Sequence, residues 1–127
     1  MYVCEGATVT ATQCEFMENG EYGVQCESVK VRLNDCTIHH NGKAGLYASM
    51  WDAIVDLHGT KTDIHSNKGG GILADFDGKV NIHLPSQHNT SHDNEGEDRF
   101  QEEGGSIANI SADGTFTHVV VDDDDDN

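Results

Sequence analysis

Short apolar positions alternate with polar ones along this chain and return at a fixed register. Ala7, Val9 and Ala11 are followed by Val29, Val31 and Leu33, then by Ala53, Val55 and Leu57, then by Val80, Ile82 and Leu84. A second set, Cys14 and Phe16, returns as Cys36 and Ile38 and as Thr62 and Ile64. A third, Val24 and Cys26, returns as Leu46 and Ala48 and as Ile72 and Ala74. Each set has period two, so its members point to one side of an extended chain and the residues between them to the other. The runs are too short for helix, β-branched residues are common in them, and glycine interrupts every repeat; strands are expected throughout.

The same side-chain types recur coil after coil, which an antiparallel sandwich does not require. Cys4 returns as Cys26, Cys14 as Cys36 and Asn19-Gly20 as Asn41-Gly42, a step of 22 residues that lengthens on the way to Asn67 and Asn94. A period in the low twenties marks a solenoid, in which one repeat cannot bury its core face alone. The predicted fold is all-β: a right-handed parallel β-helix of four to five coils with three short strands each. Residues 1–121 form one domain, with coils at 6–27, 28–51, 52–77 and 78–104, a strand segment at 105–121 and an acidic tail at 122–127. Residues 1–5 supply the end of a preceding coil, with Tyr2 and Cys4 in the register of Val24 and Cys26. Asn19, Asn41, Asn67 and Asn94 form a ladder at one corner, where Asn and Gly accommodate left-handed backbone and stacked amides satisfy buried polar groups. In coil four Arg99 and Gln101 fall where Ile72 and Ala74 stood, which implies a register slip or the end of the core. Residues 115–121 read as a strand that covers the open end or pairs along a side.

The segments CEFMENGEYGVQC (14–26) and CTIHHNGKAGLYA (36–48) resemble the short repeat of right-handed β-helix proteins in the pectin-lyase-like superfamily. The resemblance runs from Met1 to about Asn94. It implies the fold, which serves lyases, hydrolases, epimerases, phage tailspikes and substrate-binding modules alike. The NTD, GHG and RIK segments of polygalacturonases and the DPH segment of alginate epimerases are absent, and the chain has only two arginines, Arg32 and Arg99.

With 127 residues and a formal charge of −16, the chain is strongly acidic. That charge argues against nucleic acid and anionic membranes as partners, and against a polyuronate in the absence of bridging calcium. No apolar stretch approaches the length of a membrane-spanning helix, and no signal peptide is recognised. Stacking of the four cysteines at inward positions favours free, buried thiols, with Cys4 beside Cys26 and Cys14 beside Cys36. Reduced thiols point to an intracellular location. The first coil lacks a polar cap, so self-association through that end is expected, restrained by repulsion between acidic tails.

Three outward sets carry candidate chemistry. His39, His65 and His92 share a register with Met17 and offer imidazoles for a metal, but a straight line of rings about 4.8 Å apart converges poorly on a tetrahedral ion. Arg32, Asp56 and His83, with Lys30 nearby, form a catalytic candidate in which the base neutralises a substrate carboxylate and His83 exchanges a proton. Its bland alternative is a cross-strand Arg32–Asp56 ion pair. Tyr47, Leu73 and Phe100, with Trp51 in the adjoining insertion, form a candidate binding face for sugar rings or a protein. No cofactor is expected. The favoured function is a non-catalytic scaffold that binds a protein or glycan; the alternative is a lyase or epimerase of acidic polysaccharide.

Overall fold

The structure is a computed structural model that describes residues 1–4, 6–83 and 90–111, and the backbone of residues 116–118. The expectations placed on Leu84, on Thr115 and 119–121, and on the tail at 122–127 lie outside the described residues. The strands are β1 (Tyr2–Val3), β2 (Thr8–Thr12), β3 (Glu15–Met17), β4 (Val24–Glu27), β5 (Lys30–Asn34), β6 (Thr37–His39), β7 (Ala44–Ser49) and β8 (Ile54–His58). They continue as β9 (Asp63–His65), β10 (Gly70–Asp75), β11 (Lys79–His83), β12 (Ser91–His92), β13 (Arg99–Gln101), β14 (Ser106–Ile110) and β15 (Phe116–His118). Among the described residues no helix occurs.

As far as β14, every third strand joins the same sheet. The orders are β1-β4-β7-β10-β13, β2-β5-β8-β11-β14-β15 and β3-β6-β9-β12. All pairings are parallel except β14 with β15. The chain is therefore a parallel β-solenoid of about four turns with three sheets as walls. Its interior follows the alternation of the sequence: Leu33, Ile38, Leu46, Leu57, Ile64, Ile72, Ile82 and Ile107 are fully buried. Burial of each such side chain contributes about 1.5–3 kcal/mol, and these columns hold the walls together.

Two registers differ from expectation. Val80 pairs with Val55 and Ile82 with Leu57, so coil four is shifted by two residues and Gly78, not Val80, follows Ala53. Both alignments keep apolar residues inside, so period alone did not separate them; a Cβ on Gly78 would meet the Ser49 backbone nitrogen at 2.9 Å, which reserves that tight corner for glycine. At the start, Tyr2 pairs with Gln25 and Val3 with Cys26. This one-residue slip turns Val3 inward at 5 % exposure and leaves Tyr2 and Cys4 exposed, as the period of two requires. Arg99 and Gln101 do hold the register of Ile72 and Ala74. The register therefore continues without a slip but with polar side chains in it: Gln101 Oε1 accepts from the Ile107 amide at 3.0 Å, and Arg99 is buried.

The asparagine ladder is present. Asn19, Asn41 and Asn67 each donate Nδ2 to the Oδ1 of the next asparagine at 2.9 Å. Each also donates its backbone amide to that same oxygen, at 3.1, 3.0 and 2.9 Å. The left-handed residues are not the asparagines or glycines; they are Glu18, His40, Ser66 and Asp93, each immediately before an asparagine, with φ between 55° and 56°. Gly23, Gly45 and Gly71 serve another need. A Cβ on Gly45 would stand 2.7 Å from Asn67 Nδ2 and 2.8 Å from Ile64 Cγ2, so the glycine makes room for the next coil's asparagine.

The two ends differ. In the first coil Val9, Ala11 and Phe16 are only partly buried, whereas Val31, Leu33 and Ile38 directly above them are enclosed. At the other end β15 runs antiparallel along β14, pairing Asn109 with Thr117, and occupies that sheet edge.

Candidate functional site

The histidine line lies on the outer face of the sheet β3-β6-β9-β12. His39 pairs with His65 and His65 with His92. Their rings stack face to face, with centroids 5.1 Å and 5.5 Å apart and planes inclined by 5° and 21°. The three rings are spread along the line, and among the described residues they bring no three donor atoms within reach of one ion. Carboxylates of neighbouring residues take nitrogens of His39 and His92, and His65 Nδ1 meets the Ser66 hydroxyl at 2.9 Å. His39 Nε2 meets Glu15 at 2.6 Å, His92 Nε2 meets Asp63 at 2.7 Å, and His92 Nδ1 meets Asp93 at 2.9 Å. The hydrogen bond to Asp93, aided by Asp63, raises the His92 pKa above its ordinary value. Burial lowers that of His65; Asp63 opposes this, and the imidazoles of His39, His92 and His40 add to it.

A second cluster stands on the outer face of the sheet containing β5, β8 and β11. Arg32 is opposite Asp56, and Asn81 is opposite Asp56 on the other side. His83 does not share that register, because the shift of coil four moves it on to face His58. It still reaches back: His83 Nε2 lies 2.7 Å from Asp56 Oδ1, and Asn81 Nδ2 donates to the same oxygen at 3.2 Å. His58 stacks on His83 with centroids 4.1 Å apart. Among the described residues Arg32 forms no ion pair with Asp56; its Nε donates to Asn34 at 3.3 Å. Burial lowers the His58 pKa, with His83 and Arg32 adding to the effect and Asp56 opposing it.

The third arrangement is apolar. Tyr47 pairs with Leu73 and Leu73 with Phe100, forming one outward column on the sheet of β7, β10 and β13. Tyr22 extends it, its ring centroid 4.7 Å from that of Tyr47. Tyr47 Oη donates to Asp75 at 3.1 Å, which fixes the ring. Burial raises the Tyr47 pKa, and Asp75 raises it further. A groove of about 330 Å³ runs beside the column, lined by Gly69, Gly70, Leu73, Gly96, Glu97 and Phe100 among others. Trp51 is not part of this face. It is 74 % exposed and lines a separate hollow of about 240 Å³ with Met50 and Phe76, next to Asp77 and Glu103.

Sequence patterning named most of these residues and missed three. His58 was hidden by the two-residue misalignment of coil four; with Ile82 set opposite Leu57 it falls opposite His83. Asn81 was hidden for the same reason. Tyr22 lies just before a strand, where alternation gives no facing. The expected thiol pairs divide as well. Cys4 and Cys14 are exposed while Cys26 and Cys36 are buried, and all four are free. The backbone pairing Thr37 N to Cys14 O at 3.0 Å sets Cys14 next to Cys36 as expected, whereas Cys26 faces Val3.

Residues 1–61 match the family model described as a right handed beta helix region. No curated protein and no solved structure matches the chain. No described helix is long and apolar enough to cross a membrane. The match over the first coils and the parallel three-sheet stack that continues past it give this chain the right-handed parallel β-helix fold, consistent with the pectin-lyase-like superfamily.

Proposed function

We propose that this protein is a non-catalytic β-helix scaffold that binds a glycan of uncharged sugar rings along the Tyr22–Tyr47–Leu73–Phe100 column. The observation that carries this is the column itself: Tyr47, Leu73 and Phe100 follow one another from strand to strand, with the Tyr22 ring against Tyr47, beside an open groove. Successive strands lie about 4.8 Å apart, so two neighbouring rings span roughly one sugar unit. Aromatic faces stack on the C–H faces of sugars, and Gln25 and Glu97 offer acceptors or donors at the margins. The charge of −16 disfavours polyuronates and favours neutral chains. A rigid solenoid wall keeps the entropic cost of ordering the site low.

A lyase or epimerase reading draws on the Asp56–His83 contact of 2.7 Å with Arg32 on the adjacent strand. In that case His83, oriented by Asp56, would exchange the proton and Arg32 would hold a substrate carboxylate. The two readings separate in one screen. The protein is incubated with neutral oligosaccharides and with pectate and alginate, and binding, unsaturated product and proton exchange are followed together. Binding of neutral chains with no turnover supports the scaffold. Turnover of an acidic polymer that is lost in His83→Ala overturns it.

A further inference from the structure

The outer face of β8 and β11 carries a group whose donors match a transition metal. Asp56 and His58 stand two residues apart on β8, so both point to the same face. His83 on β11 faces His58 across the ladder, since Ile82 pairs with Leu57. One carboxylate oxygen and two imidazole nitrogens from these residues all lie within 4.8 Å of one another, the only such group among the described residues. All three side chains are half-buried, so they keep partly fixed positions while remaining open to solvent on one side.

We propose that Asp56, His58 and His83 form a binding site for a divalent transition metal of the zinc type. Two imidazoles and a carboxylate are a borderline donor set that suits zinc, nickel or copper better than calcium or magnesium, which prefer oxygen alone. Donor atoms around a tetrahedral zinc stand roughly 3.3 Å apart, given metal–ligand distances of about 2.0–2.1 Å. The donors now lie within 4.8 Å of one another and the His58 and His83 rings stack at 4.1 Å, so ligation requires the two rings to turn about their side-chain bonds. The present contact between His83 Nε2 and Asp56 Oδ1, at 2.7 Å, gives way when both atoms turn to the metal. Asn81, which donates to Asp56 Oδ1 at 3.2 Å, orients the carboxylate from outside the ligand set. The fourth position faces solvent and takes water. Arg32, opposite Asp56, opposes the ion, and the net charge of −16 offsets it at longer range.

This site differs from the histidine line. His58 and His83 also stack, with centroids 4.1 Å apart, but with Asp56 they bring three donors within 4.8 Å, whereas among the described residues His39, His65 and His92 gather no such group along the line. It also lies on a different sheet from the aromatic column, so its test is independent of glycan binding.

The test uses Zn²⁺ alone, by calorimetry on the metal-stripped chain, with Co²⁺ as a spectroscopic stand-in. The expected result is one ion per chain and, with Co²⁺, visible absorption of tetrahedral type. His58→Gln and His83→Gln keep side-chain bulk, and circular dichroism checks that they fold. Each should weaken binding by at least the ~10–100-fold that loss of an outer-shell partner costs. His65→Gln should leave it unchanged. Absence of stoichiometric binding, or binding that survives both β8 and β11 variants and is lost in His65→Gln, would overturn the proposal.

Discussion

Asn94 donates its side-chain amide to Asp98 Oδ1 at 3.0 Å and its backbone amide to the same oxygen at 3.2 Å. These are the two bonds that each earlier asparagine makes to the next one. Asp98 thus takes the place of a fifth rung and ends the ladder with a carboxylate, which needs no further donor of its own to accept both bonds. Asp98→Asn keeps the accepting oxygen and should change stability little. Asp98→Ala takes the acceptor from the Asn94 backbone amide and one of the acceptors from its side-chain amide, which keeps Ser91 and His92, and should cost about 1–3 kcal/mol. Urea unfolding of the two variants checks the difference.

Gly45 is confined by the coil above it. An added Cβ would sit 2.7 Å from Asn67 Nδ2, a buried atom already bonded to Asn94. Gly45→Ala should lose about 1–3 kcal/mol through overpacking and disruption of the rung. Gly20→Ala, where an added Cβ meets nothing within 4 Å, should lose less. The ratio of the two midpoint shifts in denaturant measures whether close packing, and not turn conformation, is what these glycines supply.

Much of the fold was legible because the inward residues recur with the same chemistry in three successive coils. Val31 over Val9 and Val55 over Val31 need no structure to be placed. Coil four was harder, because Val80 and Ile82 satisfy two alignments equally well and only the shape of the corner at Gly78 chooses between them. That single ambiguity hid His58 and gave His83 the wrong neighbour. The ladder's end at Asp98 was also hidden, since a residue four positions after Asn94 replaces a partner that elsewhere comes 22 to 27 residues later.

The thiols should divide into two classes. Burial pushes the Cys26 pKa up to about 12 and raises that of Cys36, so neither forms thiolate near neutral pH. Cys4 and Cys14 are exposed. A chromogenic disulfide reagent should titrate two groups in the native protein and four after denaturation. Four fast groups, or fewer than four in total after unfolding without reductant, would contradict the arrangement.

Stability should pass through a maximum near the ordinary histidine pKa of 6.5. The folded pKa values of His58 and His65 are lowered, so below 6.5 the unfolded chain binds more protons and stability falls as pH drops through that window. His92 is raised, so above 6.5 the folded chain holds the extra proton and stability falls as pH rises through the folded value. His92→Gln should flatten the alkaline limb, and His65→Gln should reduce the acidic one. Thermal midpoints in buffers of constant ionic strength on either side of neutrality read both slopes.

Binding along the aromatic column is tested most directly by affinity for a neutral oligosaccharide in Tyr47→Ala and Phe100→Ala. The rings lie half-buried on either side of Leu73 on the outer wall, outside the core, so both variants should fold. Loss of a stacking ring worth about 0.5–1.5 kcal/mol beyond its buried area should weaken binding by roughly tenfold or more in each variant. Trp51→Ala, in the separate hollow, should leave the affinity unchanged. Full affinity in the Tyr47→Ala and Phe100→Ala variants, or its loss only in Trp51→Ala, would contradict the assignment of this face.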